Sequence, residues 1–203
     1  MIDKFCTFLT NKIRKEMPEI DDERAEIIMY GLQNIIGEMP KGIIILLIAY
    51  LLGLFKLTLL AVLFIAPYRC VSGGVHMKTH LGCIIYTLIL YSGTALIGKY
   101  VVLTGMIKYV TAFIIWTFCM IMIKLYAPAD TENVPILRKK ERLQKQILSY
   151  IILTVEFIIA LVINNSVITS IIIFGSLIQT FTITRFAYNI TKNKYGYEVY
   201  ANA

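Results

Sequence analysis

A histidine and a cysteine lie seven positions apart in the stretch APYRCVSGGVHMKTHLGCIIYT, residues 66–87. His76 could act as a general base that removes the proton of the Cys83 thiol, because the thiolate is the nucleophilic form of cysteine. In one continuous helix this separation would place the two residues about 10.5 Å apart along the axis. That distance is too long for direct proton transfer, so the chain must bend between them.

The intervening residues can provide that bend. Gly73 and Gly74 have the conformational freedom for it, and Thr79 is a suitable N-cap for a helix that starts at His80. Cys83 would then lie in the first turns of that helix, where the positive end of the helix dipole favours a thiolate. The two glycines could also present backbone N–H groups to a developing oxyanion.

The same residues allow other interpretations. Cys83 could be a small apolar helix residue, and His76 a solvated loop residue. His76, His80 and Cys83 also form the pattern H-x3-H-x2-C, whose ligand types suit zinc, with Cys70 as the one nearby candidate for a fourth ligand. Arg69 could anchor the chain at a membrane surface or bind a carboxylate through paired hydrogen bonds.

The composition defines the class of protein that must position these residues. Hydrophobic residues make up 58% of the 203-residue chain, against about 45–50% in soluble domains, and the mean hydropathy is +0.71. These values predict an all-α integral membrane protein. The net charge of +7 fits contact with anionic lipid. Nucleic-acid binding is not expected, since no basic run is interleaved with aromatic residues. The four cysteines form no CxxC pair and are expected to be free thiols.

Five apolar segments have the length of membrane spans, which need about 20 residues. The first, at 43–66, is interrupted by Gly53 and Lys56. It could be a single pass, a pair of short helices meeting near Lys56, or a re-entrant hairpin. The pair of helices is favoured, which gives about six membrane segments. The segments are 43–66, 81–98, 106–125, 147–163 and 167–183.

The charges predict the orientation of these spans. The loop at 124–146 is strongly basic and is therefore expected in the cytoplasm. Counting spans backward from it places the motif at 67–83 at the cytoplasmic face. Residues 1–40 alternate apolar and charged positions at helical spacing, which predicts amphipathic helices lying at the membrane interface, interrupted near Met17-Pro18.

Two polar residues lie inside predicted spans. Glu156 falls near the middle of one apolar segment, and Gln179 lies in the next. Polar groups at such positions are costly and are often functional. A polar contact between helices is an equally good interpretation of Glu156.

The motif YRCVSGGVHMKTHLGC resembles the signature of the AgrB family, membrane cysteine endopeptidases of bacterial quorum sensing. The matching residues are Arg69, the pair Gly73 and Gly74, His76, and Cys83 seven positions later. The order, the spacing and the position before an apolar segment all agree. The loop APADTENVPI, the chain length and the hydropathy also match, so the resemblance covers essentially the whole chain.

This resemblance implies a single membrane domain over residues 1–203 in the bacterial cell membrane, without a cofactor. It implies cleavage of an AgrD-like precursor on its C-terminal side and formation of a cyclic thiolactone or lactone. His76 would be the general base and Cys83 the nucleophile, with Arg69, Gly73 and Gly74 supporting activity or substrate binding. No third catalytic residue can be assigned. A homodimer is expected.

One position departs from the family pattern, because Val75 stands where an aromatic residue is common. This difference would alter substrate fit. The alternative function is a non-enzymatic peptide transporter or scaffold, which would not need Cys83 as a thiolate.

Overall fold

The computed structural model describes residues 2–17, 19–77, 79–132 and 134–200. Across these residues the protein is helical, which confirms the predicted all-α class. The helices are α1 (Ile2–Glu16), α2 (Asp22–Leu51), α3 (Phe55–Ser72), α4 (His80–Tyr100), α5 (Gly105–Tyr126), α6 (Lys139–Val162), α7 (Ser166–Thr182), α8 (Arg185–Ile190) and α9 (Gly196–Tyr200).

The helices include the apolar segments of a multi-pass membrane protein. Within the described residues, α3, α4, α5 and α6 are long and apolar enough to cross a bilayer. Two shorter apolar helical stretches, Met39–Leu51 and Ser166–Thr182, accompany them. Because an α-helix satisfies its own backbone hydrogen bonds, helices of this kind are stable in hydrocarbon. The positions of these six stretches agree with the predicted membrane segments.

The first apolar region is a pair of helices, as favoured above, but their junction differs from the prediction. α2 ends at Leu51 and α3 begins at Phe55, so the break lies at Gly53, which has φ +68°, and not near Lys56. A positive φ is readily adopted by glycine and costly for other residues. Since α2 runs from Asp22 to Leu51, the second half of the predicted interfacial segment 1–40 continues without a helix break into the apolar region.

Residues Met1–Ile48 form one of two compact units. α1 ends at Glu16, which confirms the interruption near Met17; Pro18 lies outside the described residues. Arg14 at the end of α1 donates a hydrogen bond to Asp22 at the start of α2, with 2.7 Å between Nη2 and Oδ1. The position of this segment at a membrane interface stays a prediction.

Residues Ala49–Ala203 form the second unit, in which α7 is the central helix. It packs against α3, α4, α5 and α6, and its residues Ile171, Ile172 and Ile173 are fully buried. Close packing depends on small residues facing it: a Cβ atom on Gly98 of α4 would lie 2.3 Å from Ile171 Cγ1. A helix in contact with four others can carry polar groups toward its neighbours, and α7 does so near its C-terminus.

Candidate active site

The loop between α3 and α4 bends as the sequence predicts. Gly73 and Gly74 have φ +74° and +140°, both in the region that favours glycine. Their N–H groups donate to the carbonyls of Arg69 (3.0 Å) and Ala129 (2.9 Å), respectively. Both donors are therefore engaged by backbone, so the expectation that they serve an oxyanion is not met in this conformation.

The predicted cap of α4 is confirmed. The Thr79 hydroxyl oxygen accepts a hydrogen bond from the Gly82 N–H at 3.1 Å, and the Cys83 N–H donates to the Thr79 carbonyl at 2.9 Å. Cys83 consequently closes the first turn of α4, close to the positive end of the helix dipole. Its side chain is partly buried, whereas the His76 side chain is exposed.

A second loop, residues 127–131 (the template loop), binds the segment with the glycine pair through backbone hydrogen bonds. The Ala129 N–H donates to the Ser72 carbonyl at 2.8 Å, next to the bond that Gly74 donates to Ala129. The Tyr188 hydroxyl lies 2.9 Å from the Ala129 carbonyl oxygen and 3.0 Å from that of Asp130. Burial raises the pKa of Tyr188 above its ordinary value, so it remains a neutral donor.

Asp130 and Arg142 hold this template loop in place. Arg142 Nη1 lies 3.2 Å from Asp130 Oδ1, and the Asp130 side chain is fully buried. The other carboxylate oxygen accepts the Ile136 N–H at 2.9 Å, and Arg142 Nη2 donates to the Pro128 carbonyl at 3.2 Å. Arg142 belongs to the basic region 124–146. Its charge stabilises the fold of the loop, in addition to any contribution to the orientation of the protein in the membrane.

This ion pair gives a stability prediction. We expect Arg142→Leu to lower the free energy of unfolding by about 3 kcal/mol, because it leaves the Asp130 carboxylate buried without its cation. Denaturant titration of the protein in detergent micelles would measure this loss. Arg138→Leu is the matched control, since the Arg138 side chain is exposed. The double variant Asp130→Asn/Arg142→Leu should regain part of the loss, and failure to regain any would contradict the explanation.

Arg69 fixes the backbone next to His76. Its Nη2 donates to the Val75 carbonyl at 2.7 Å, and its Nη1 donates to Gln179 Oε1 at 3.0 Å. The Val75 N–H in turn donates to the Thr182 carbonyl at 3.2 Å. The paired hydrogen bonds predicted for Arg69 thus go to a backbone carbonyl and an amide, where the sequence suggested a carboxylate.

Gln179 connects this arginine to the glycine pair. Its Nε2 donates to the Gly73 carbonyl at 2.8 Å and lies 3.2 Å from Ser72 Oγ, while its Oε1 accepts from Arg69. The side chain is fully buried. The sequence signal was a polar residue inside an apolar span, which indicates that a partner exists but not which one.

Asn193 is a residue that sequence reasoning missed. Its Nδ2 donates to the His76 carbonyl at 2.9 Å, from the segment between α8 and α9. No local pattern marks this position, because Asn193 lies in an ordinary polar tail. The His76 backbone is therefore held by the tail on one side, and Arg69 holds the preceding Val75 carbonyl.

The remaining predictions concern the cysteines and Glu156. The four cysteines all lie among the described residues, and none of them forms a disulfide, as expected. Glu156 Oε2 accepts a hydrogen bond from Ser176 Oγ at 3.0 Å, which supports the interpretation of a polar contact between α6 and α7. No group of three metal-ligating side chains occurs among the described residues, but the zinc alternative includes His80, whose side chain lies outside them.

Comparisons with known proteins match one family over most of the chain. The family model described as "AgrB: Accessory gene regulator B" matches residues 6–183. An AgrB-like protein of Listeria innocua is 29% identical over 93% of this chain and 91% of its own. An AgrB-like protein of Clostridium perfringens is 29% identical over 71% and 70%, and one of Clostridium acetobutylicum is 24% identical over 96% and 91%.

No solved structure matches the chain. The family match extends from α1 to the end of α7 and includes the whole bent loop with Arg69, His76 and Cys83. The chain therefore belongs to the AgrB family, and this membership supports a role in the agr quorum-sensing system.

Proposed function

We propose that the protein is a membrane cysteine endopeptidase that removes the C-terminal tail of an AgrD-like precursor, with Cys83 as nucleophile and His76 as general base. The observation that supports the proposal is the braced loop, residues 73–77, which carries His76 and precedes the first turn of α4 with Cys83. Hydrogen bonds from α3, α7, the template loop 127–131 and the C-terminal tail hold this segment. Such bracing is what a catalytic pair requires, since small misplacements of reacting groups are costly.

The proposed reaction is an acyl transfer in two steps. His76 takes the thiol proton, and the Cys83 sulfur forms a bond to the scissile carbonyl carbon. The C–N bond breaks, and the proton held by His76 passes to the leaving amine of the C-terminal fragment. A thiol of the precursor then gives its proton to His76 and attacks the thioester carbonyl. The C–S bond to Cys83 breaks, the proton passes from His76 to the Cys83 sulfur, and a thiolactone is closed. Thioester exchange conserves the activation of the acyl group, which hydrolysis would lose.

The proposal also includes the side of the membrane that the site faces and the partners of the protein. Basic residues of 124–146 occur on the chain between α5 and the first turns of α6, and the template loop 127–131 belongs to this region. By the positive-inside rule, this end of the bundle faces the cytoplasm. The proposed partners are the precursor, membrane lipid and a second copy of the chain.

The direct test is mass spectrometry of the precursor after co-expression with the wild-type protein, Cys83→Ala or His76→Ala. We expect cleavage by the wild type and none by either variant. Cys70→Ala is the matched control, because Cys70 is an exposed thiol of the same motif, and it should cleave normally. A product lighter by one water than the linear fragment would demonstrate cyclisation. Cleavage by Cys83→Ala would overturn the mechanism.

A further inference from the structure

An apolar groove of about 400 Å³ lies along α4, where α7 and α8 form its other wall. Tyr86, Leu90 and Gly93 line it from α4, Ile178 from α7 and Phe186 from α8. Val75 of the braced loop also contributes to the lining. The groove therefore adjoins the loop that carries His76.

The α4 wall of this groove continues the helix face that begins at Cys83. Tyr86, Leu90, Gly93 and Ile97 follow Cys83 at spacings of 3, 7, 10 and 14 residues, and residues at such spacings share one broad side of a helix. From Tyr86 to Ile97 the helix rises about 16 Å. That is the length of about five residues of extended peptide.

The Arg69 guanidinium joins the groove to the site. Its Cζ lies 5.7 Å from the centre of the Tyr86 ring, and its Nη2 holds the carbonyl of Val75. A chain lying in the groove would thus pass both the residue before His76 and the helix face that starts at Cys83. We infer that the groove binds an apolar segment of the peptide substrate flanking the bond that Cys83 attacks. This inference rests on the proposed function.

A second apolar groove allows peptide binding to be separated from lipid binding. It lies between α5 and α6, has a volume of about 410 Å³, and is lined by residues such as Trp116, Phe157 and Ile158. None of its lining residues belongs to the motif at 66–87. Both grooves are apolar and of similar size, so acyl chains would occupy either groove, whereas a substrate of Cys83 would occupy the first.

The test measures binding of fluorescently labelled precursor to the Cys83→Ala protein in lipid nanodiscs, so that no cleavage intervenes. Gly93→Phe should weaken binding about tenfold, as expected when an apolar pocket changes by a few carbons. A Cβ atom on Gly93 meets nothing within 4 Å, so the substitution starts without a backbone clash, and the ring is expected to project into the groove that Gly93 lines. Ile89→Trp should act in the same direction.

Ile158→Trp is the matched control. Ile89 and Ile158 are 66% and 55% exposed, and each lines one groove. Normal binding by Gly93→Phe and Ile89→Trp, or an equal loss in Ile158→Trp, would overturn the inference. Failure of the proposed function has a different signature, namely cleavage by Cys83→Ala in the mass-spectrometric test.

Discussion

Gly73→Ala is expected to reduce precursor cleavage at least about 100-fold, to the level of the Cys83→Ala protein, while the variant still accumulates in the membrane. The added Cβ atom would lie 2.2 Å from the Ala129 carbonyl oxygen and 2.8 Å from its carbon. These are backbone atoms of the template loop, which the Tyr188 hydroxyl also holds. The clash cannot be relieved by a side-chain rotation, so the two loops must separate.

That separation would displace the proposed catalytic loop. Without contact to the template loop, the hydrogen bonds from Gly74 to Ala129 and from Ala129 to Ser72 are lost. Gly73 has φ +74° and ψ −152°, a region essentially restricted to glycine, so alanine there adds about 1–3 kcal/mol of strain. A misplacement of about 1 Å at a reactive group can cost about 100-fold in rate. The measurement is the initial rate of precursor cleavage at equal protein concentration.

Two further glycine variants test the explanation. Gly42→Ala is the control, since a Cβ atom there meets nothing within 4 Å, and it should retain full activity. Gly74→Ala should be milder than Gly73→Ala, because its nearest contact, at 2.5 Å, is the Thr182 side-chain oxygen, which can move. Wild-type activity in Gly73→Ala would show that cleavage does not depend on contact between the loops.

Gln179→Leu is expected to lower the rate of cleavage about 100-fold with little change in KM. Leucine has a similar size, but it cannot accept the hydrogen bond from Arg69 and cannot donate one to the Gly73 carbonyl or to Ser72. Hydrogen bonds to charged groups contribute about 1.5–3 kcal/mol, and about 1.4 kcal/mol corresponds to tenfold in rate. Gln179 is a positioning residue that acts through Arg69 and the braced loop.

A purely structural role would affect protein amount and not the chemistry of Cys83. The second readout is therefore the pH profile of Cys83 alkylation by iodoacetamide in a Cys70→Ala background. We expect Gln179→Leu to shift this profile upward, since His76 would no longer be held where it assists the thiolate. Gln146→Leu is the control, because Gln146 also donates to helix carbonyls, those of Ile123 and Lys124. An unchanged profile with reduced activity would contradict the positioning role.

The sequence by itself determined the local features of this protein. Hydropathy and length located the helices, because a helix in a membrane satisfies its backbone hydrogen bonds within one segment. The glycine pair predicted the bend, and Thr79 predicted the start of α4, since capping joins residues only three positions apart. The family motif likewise lies within a short stretch of chain.

Only the tertiary structure decided what holds that motif. The Gly73 carbonyl is bound by Gln179, 106 positions away, and the His76 carbonyl by Asn193, 117 positions away. The glycine N–H groups, available in the sequence for an oxyanion, are engaged by Arg69 and Ala129. A polar residue in an apolar helix signals that it needs a partner, but the packing of helices distant in sequence decides which partner it meets.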